Sequence, residues 1–245
     1  MPAHSIHAFA EKVALITDAA NPLGRAVALQ LALLGSYVIV GFSKASDEAA
    51  KSALEELKSL GTLAHAVEWN AETIEGARGL AAEVEQIYGR LDLLVNTLKY
   101  EPQSSFEETG ESAWQKTIDA NLKSVFFVTQ SVLPLMSPRP KPTIVNLVTN
   151  CGENWVEKNP AFAATQAAVV GLTEQLARRL PKNFRVNCVS VVEKSEEAKD
   201  ESESFGLFQT AGSGVASDDV ARVVIYLLSD EAKALNGQVL TVDKR

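Results

Sequence analysis

The sequence predicts an α/β fold, a doubly wound parallel sheet of about seven strands with helices on both faces. Three observations predict it. Short β-branched apolar runs alternate with amphipathic helical stretches along the 245 residues. Each short run is apolar nearly throughout rather than at every second position, as strands covered on both faces must be. The segments between runs are long enough for helical crossovers, which parallel neighbours require.

The first run, 12–17 (KVALIT), is followed by a polar turn and a helical pattern over 23–34 that stops at Gly35. A second strand over 37–42 (YVIVGF) leads into an amphipathic helix over 47–60. Ala50, Ala53, Leu54, Leu57 and Leu60 share one face of it, and Gly61 closes it. Five more strands are predicted at 63–68, 91–95, 143–148, 185–190 and 238–242, between helical stretches near 72–89, 112–136, 160–180 and 217–229. Two segments interrupt the rhythm. The four prolines of 134–142 predict a stiff connection before a strand, and the acidic 193–203 with the small and charged 204–214 has the composition of a mobile surface loop. No linker, repeat or low-complexity array divides the chain, so residues 1–245 read as one Rossmann-like domain.

Composition narrows the function classes. With 46% hydrophobic and 22% charged residues there is ample material for a core. A net charge of −8 without a clustered Lys/Arg surface argues against nucleic acid as a partner. No apolar run reaches the length of a membrane span, and residues 1–10 lack the pattern of a secretory signal, so a cytoplasmic protein is expected. Cys151 and Cys188 are not spaced as a redox or metal pair, and no metal is expected.

In such sheets ligands bind beyond the carboxyl ends of the strands. There the chain carries ITDAANPLG (16–24) after the first strand, LDLLVN (91–96) at the fourth, and DANLKSVFFVTQ around Asn121. TIVNLVT (143–149), AFAATQAAVVGLTEQLA (161–177), FRVNCVS (184–190) and LLSDEAKALNGQVLTVD (227–243) follow. In this order, over nearly the whole chain, these segments resemble the motifs of the short-chain dehydrogenase/reductase family, most of all its β-ketoacyl-carrier-protein reductases.

The resemblance implies a site that this chain lacks. The family's Tyr-x-x-x-Lys pair passes a proton to a carbonyl oxygen and holds the nicotinamide ribose, and those places hold Phe162 and Gln166. A phenyl ring has no titratable proton and a neutral amide cannot stabilise a phenolate. Asn121 stands where the family has its active-site asparagine, and Thr149, thirteen residues before Phe162, where it has its serine. These two are either remnants able to polarise a carbonyl or groups that satisfy backbone near a helix kink and a strand end, the second being the favoured reading.

The cofactor contacts implied by the family pattern are altered in the same direction. In the turn that begins at Thr17, Asp18 and Pro22 replace two of three glycines, and Leu23 and Gly24 follow. Asp18 puts a carboxylate where a pyrophosphate would sit, either repelling it or itself accepting bonds from the free N–H groups. Asn21-Pro22 also reads as an N-cap with proline at the first helical position, a helix start that needs no ligand. After Asn96, Thr97, Leu98 and Lys99 replace the rest of N-N-A-G; Asn70 replaces the aspartate that faces adenine, and Val191-Val192 a Pro-Gly pair. Ser43 and Lys44 after the second strand suit a 2′-phosphate, which makes NADP the cofactor if one binds.

Three functions are therefore expected in descending order. The first is a catalytically silent, regulatory subunit, paired with itself or with an active paralogue. Its interface would be the helices that carry Trp114, Ile118, Leu122 and Leu172, Leu176, Leu180, although such stripes are also ordinary core. The second is an NAD(P)-dependent oxidoreductase with an unorthodox site. The third is a small-ligand binder whose old pocket, lined by Trp155, Phe162 and Leu98, holds an apolar molecule.

Overall fold

The computed structural model describes residues 8–97, 99–102, 104–150, 159–192 and 216–243. The loop expected over 193–214 lies outside them, as do Leu98, Cys151 and Trp155.

Strands β1 (Val13–Ile16), β2 (Tyr37–Phe42), β3 (Ala64–Glu68), β4 (Leu93–Asn96), β5 (Thr143–Asn150), β6 (Arg185–Val192) and β7 (Val239–Val242) form one sheet. Its order is β3-β2-β1-β4-β5-β6-β7 and every pairing is parallel. The order reverses between β1 and β4, which opens a crevice at their carboxyl ends. Helices α1 (Pro22–Leu33), α2 (Asp47–Ser59) and α7 (Ser217–Leu228) cover one face; α3 (Ile74–Tyr88), α5 (Ser124–Met136) and α6 (Pro160–Arg179) cover the other. Val13, Ala14, Leu15 and Ile16 are all fully buried because successive side chains of β1 enter opposite cores.

The elements depart from the expected bounds in three places, each for a local reason. The stretch expected as one helix over 112–136 divides into α4 (Glu111–Ile118), a π-helical turn over Asp119–Lys123 and α5, a bulge of the kind found at functional sites. Helix α5 runs through Pro134 to Met136, so that proline belongs to the helix and not to the stiff connection predicted from it. β6 extends through Val191 and Val192, which pair with Thr149 and Asn150 of β5. Two β-branched residues carry the ladder on where a Pro-Gly pair would end it.

Leu172, Leu176 and Leu180 of the expected interface stripe pack against the cores, whereas Trp114 stands 47% exposed on α4. Among the described residues no helix is long and apolar enough to cross a membrane, and no cluster of metal-ligating side chains occurs. Cys188 is buried, which pushes its thiol up to about 12 and leaves it a packing residue.

One close approach links the sheet to the crevice. A Cβ on Gly41 would lie 2.6 Å from the Thr17 carbonyl oxygen and 2.8 Å from Trp69 Nε1. Gly41→Ala is therefore expected to cost about 1–3 kcal/mol in chemical denaturation and to shift the fluorescence of Trp69, because backbone and indole must both move. An unchanged midpoint and spectrum would show that this packing has slack.

Candidate functional site

The β1–α1 turn is closed on itself. The Asn21 side chain caps α1 by accepting from Gly24 N at 2.8 Å, and Pro22 occupies the first helical position. Asp18 Oδ1 accepts from Ala20 N at 2.9 Å. The carboxylate is thus satisfied within the turn and does not reach an N–H of the helix, which corrects that part of the expectation. Gly24 persists because the turn folds onto it: a Cβ there would sit 1.9 Å from the Asp18 carbonyl oxygen.

The turn is also tied to the segment after β4. The Thr97 hydroxyl accepts from Asp18 N at 3.0 Å and donates to Asp18 O at 2.7 Å, while Thr97 N donates to Thr17 Oγ1 at 3.0 Å. Asn21 Nδ2 donates to both the Asp18 and the Thr97 carbonyls. Two donors at the helix start, Ala20 N and Gly24 N, are taken by the chain's own oxygens, and a carboxylate stands beside them. Both features oppose a dinucleotide phosphate at the turn.

Beyond the ends of β1 to β4 lies a cavity of about 760 Å³. Thr17, Asp18, Ser43, Lys44 and Asn70 line it, as expected of cofactor-contact positions, together with Trp69, Lys99 and Tyr100. Pro22, Leu23, Gly24, Asn96, Asn121, Thr149, Phe162 and Gln166 do not. Asn96 is buried and bridges β4 to β5 and α5, its Nδ2 donating to Asn146 Oδ1 at 2.8 Å and to Thr129 Oγ1 at 3.3 Å. Asn146 continues the chain to Thr173 Oγ1 of α6 at 2.8 Å.

The four positions of the expected catalytic group are occupied by the protein itself. Phe162 is 0% exposed and does not line this cavity; the apolar pocket expected of it with Trp155 and Leu98 lies outside the described residues. Gln166 Oε1 accepts from Thr149 N at 2.9 Å and its Nε2 reaches Thr165 Oγ1, tying α6 to β5. Asn121, in the π-helical turn, accepts from Tyr100 N and donates to Tyr100 O, both at 2.7 Å, so it holds the segment after β4 and not the helix around it. Two residues that sequence reasoning passed over, Trp69 and Asn159, and one it named only as a departure from the family pattern, Lys99, line or support the site. Trp69 donates its indole N–H to Thr17 O at 3.0 Å; Lys99 Nζ lies 5.8 Å from the Phe162 ring centroid; Asn159 pins Ser104 and Thr109 against the start of α6. The signal for Trp69 and Lys99 was their place at strand ends, where a large or charged residue stands in a ligand crevice.

Residues 19–244 match the family described as enoyl-(acyl carrier protein) reductase. The 3-oxoacyl-[acyl-carrier-protein] reductase FabG of Staphylococcus aureus is 33% identical over 238 residues, 95% of this chain and 96% of that one. The chain belongs to the short-chain dehydrogenase/reductase family. FabG of Thermotoga maritima is 32% identical, over 95% of this chain and 96% of that one. A Sinorhizobium meliloti dehydrogenase/reductase superposes with a TM-score of 0.85 at 25% identity, covering 99% of this chain and 98% of its own. A Burkholderia cenocepacia short chain dehydrogenase, solved with NADP, gives 0.81 at 26% identity, with coverage of 95% and 96%. These likenesses confirm the expected seven-stranded parallel architecture and the family.

Burial holds the Asp18 carboxyl above the ordinary carboxylate range, against the bonds from Asn21 and Ala20, which pull it down. A raised value means that the folded chain keeps a proton which the unfolded chain releases. Stability therefore falls as pH rises from about 4 through the raised value, and stays lower above it. Asp18→Asn is expected to raise Tm at neutral pH, with the gain shrinking as the wild-type carboxyl is protonated in acid; a lower Tm at neutral pH would contradict this.

Proposed function

We propose that this member of the family has given up ketone reduction and acts as a non-catalytic, regulatory subunit of a homo- or hetero-oligomer. The buried Phe162 ring carries the reading: at the place of the proton donor there is no oxygen, and the neighbouring Gln166 is engaged with strand backbone. The closed turn at Asp18 points the same way. Positioned acid–base help is worth about 10²- to 10⁴-fold, and its usual source is missing. Exposed Trp114, Phe126 and Phe106 support a protein partner, with a second copy or an active paralogue as the candidates.

A second reading has its own support. Both FabG relatives are reductases by name, which favours an NAD(P)-dependent 3-oxoacyl reductase, and the Lys99 ammonium beside Phe162 places a proton donor near the emptied position. In that case the donor comes from the segment after β4 and not from α6.

NADPH oxidation with a 3-oxoacyl thioester separates the two. The silent reading predicts a rate at least about 10²-fold below that of an ordinary reductase, unchanged by Lys99→Met. Ordinary turnover, lost in Lys99→Met, would establish the second reading. Restoring Phe162→Tyr and Gln166→Lys together is expected to leave the protein inactive, because the turn still excludes the phosphate. Ketone reduction by that double variant would show that the turn is no obstacle.

A further inference from the structure

We propose that a second copy of this chain docks on α3, with the two copies of the helix antiparallel about a twofold axis that passes between Ala81 and Ala82. The inference rests on the oligomeric part of the reading above and not on catalytic silence; it names the surface and the partner.

Helix α3 has work for only part of its circumference. Ala77, Leu80 and Val84 pack into the core against the sheet. Arg78, Ala81, Ala82 and Glu85 recur at i, i+3, i+4 and i+7, so at about 100° per residue they lie within about 50° of one line along the helix. That line borders an open groove of about 360 Å³, whose other wall includes Gln130 and Pro134 of α5. Arg78, Ala82 and Glu85 are exposed, and neither charged side chain has an ion-pair or hydrogen-bond partner among the described residues. Within one chain the two charges stand about 10.5 Å apart along the axis, too far to pair with each other.

The order of the four residues decides the partner. A twofold axis midway between positions 81 and 82 exchanges Arg78 with Glu85 and Ala81 with Ala82. An isologous contact needs a surface that complements itself, and this one does. Each Arg78 meets Glu85 of the other copy, while the alanines between them let the helices approach closely. Set parallel, the same helices would oppose arginine to arginine and glutamate to glutamate.

The wall formed by α5 suits the same occupant. Pro134 has no N–H for the Gln130 carbonyl four residues back, which lacks its usual helical donor. A guanidinium entering the groove from the second copy has five donors to divide between that carbonyl and Glu85. Phe126, 43% exposed and one turn before Gln130 on the same side of α5, adds apolar area. A single helix pair with these flanks makes a small interface, so a weak, reversible association is expected.

Sedimentation equilibrium of the full chain over about 1 to 200 μM tests this. The expected result is a reversible doubling of mass with a Kd of about 10 to 50 μM. Arg78→Glu, and separately Glu85→Arg, set like charges opposite each other at both ends of the contact and are expected to weaken the doubling at least about tenfold. Arg78→Glu combined with Glu85→Arg exchanges the charges in both copies, and is expected to return the Kd to within about threefold of the wild-type value. The two positions are exposed and unpaired, so all three variants are expected to keep the wild-type Tm.

A chain whose mass does not double over this range overturns the inference, and NADPH oxidation alone then judges the silent reading. A doubling that the single reversals leave unchanged, or that the double exchange fails to restore, places the contact on another surface. In that case the oligomeric reading stands and the inference about α3 falls.

Discussion

The hydrogen bonds between the β1–α1 turn and Thr97 set the character of the whole crevice. One hydroxyl both accepts from Asp18 N and donates to Asp18 O, and the Asn21 amide bonds the carbonyls on either side of the junction. Strands β1 and β4 are neighbours where the sheet order reverses, so this tie spans the place where a fold of this kind opens to ligands. A helix N-terminus with free N–H groups attracts anions; one capped by Asn21, started by Pro22 and flanked by a carboxylate has fewer donors to offer. The turn gains its stability internally.

Internal contacts of the same kind recur at the positions of the family's catalytic group. Gln166 binds the backbone of Thr149, Asn121 binds the backbone of Tyr100, and Phe162 contributes a wholly buried ring. Each group is polar where a backbone partner needs it and apolar where nothing does. Asn96, Asn146 and Thr173 form a buried polar chain from β4 to α6, in which Asn96 Oδ1 is left without a partner among the described residues. The bonds that this chain does make hold β4, β5 and α6 in register. On the proposed reading, what was a reaction centre has become part of the scaffold.

Much of this was legible in the sequence. Periodicity alone placed the seven strands within a few residues, because strands buried on both faces leave long apolar runs and their crossovers leave helical ones. Asn21-Pro22 announced the helix start, since cap and proline chemistry is local. Local rules could not show where Asp18 points, because its partner, Ala20 N, depends on how Thr97 anchors the turn from 79 residues away. Nor could they divide α4 from α5, where the π-helical turn carries Asn121 and its long-range bonds to Tyr100. Pro134 was counted both in the helical stretch to 136 and in the stiff connection that follows, and the helix keeps it, running on to Met136. Trp69 escaped notice, and Lys99 was read only as a lost motif glycine, because a family motif directs attention to the residues it names.

Amide chemical shifts of Ala20 and Gly24 during titration with NADPH report on the turn most directly. If these N–H groups stay bonded to Asp18 and Asn21, both signals remain in place up to millimolar cofactor. Saturable displacement of the two signals would mean that the turn opens to phosphate, and that the chain keeps the cofactor chemistry of its relatives.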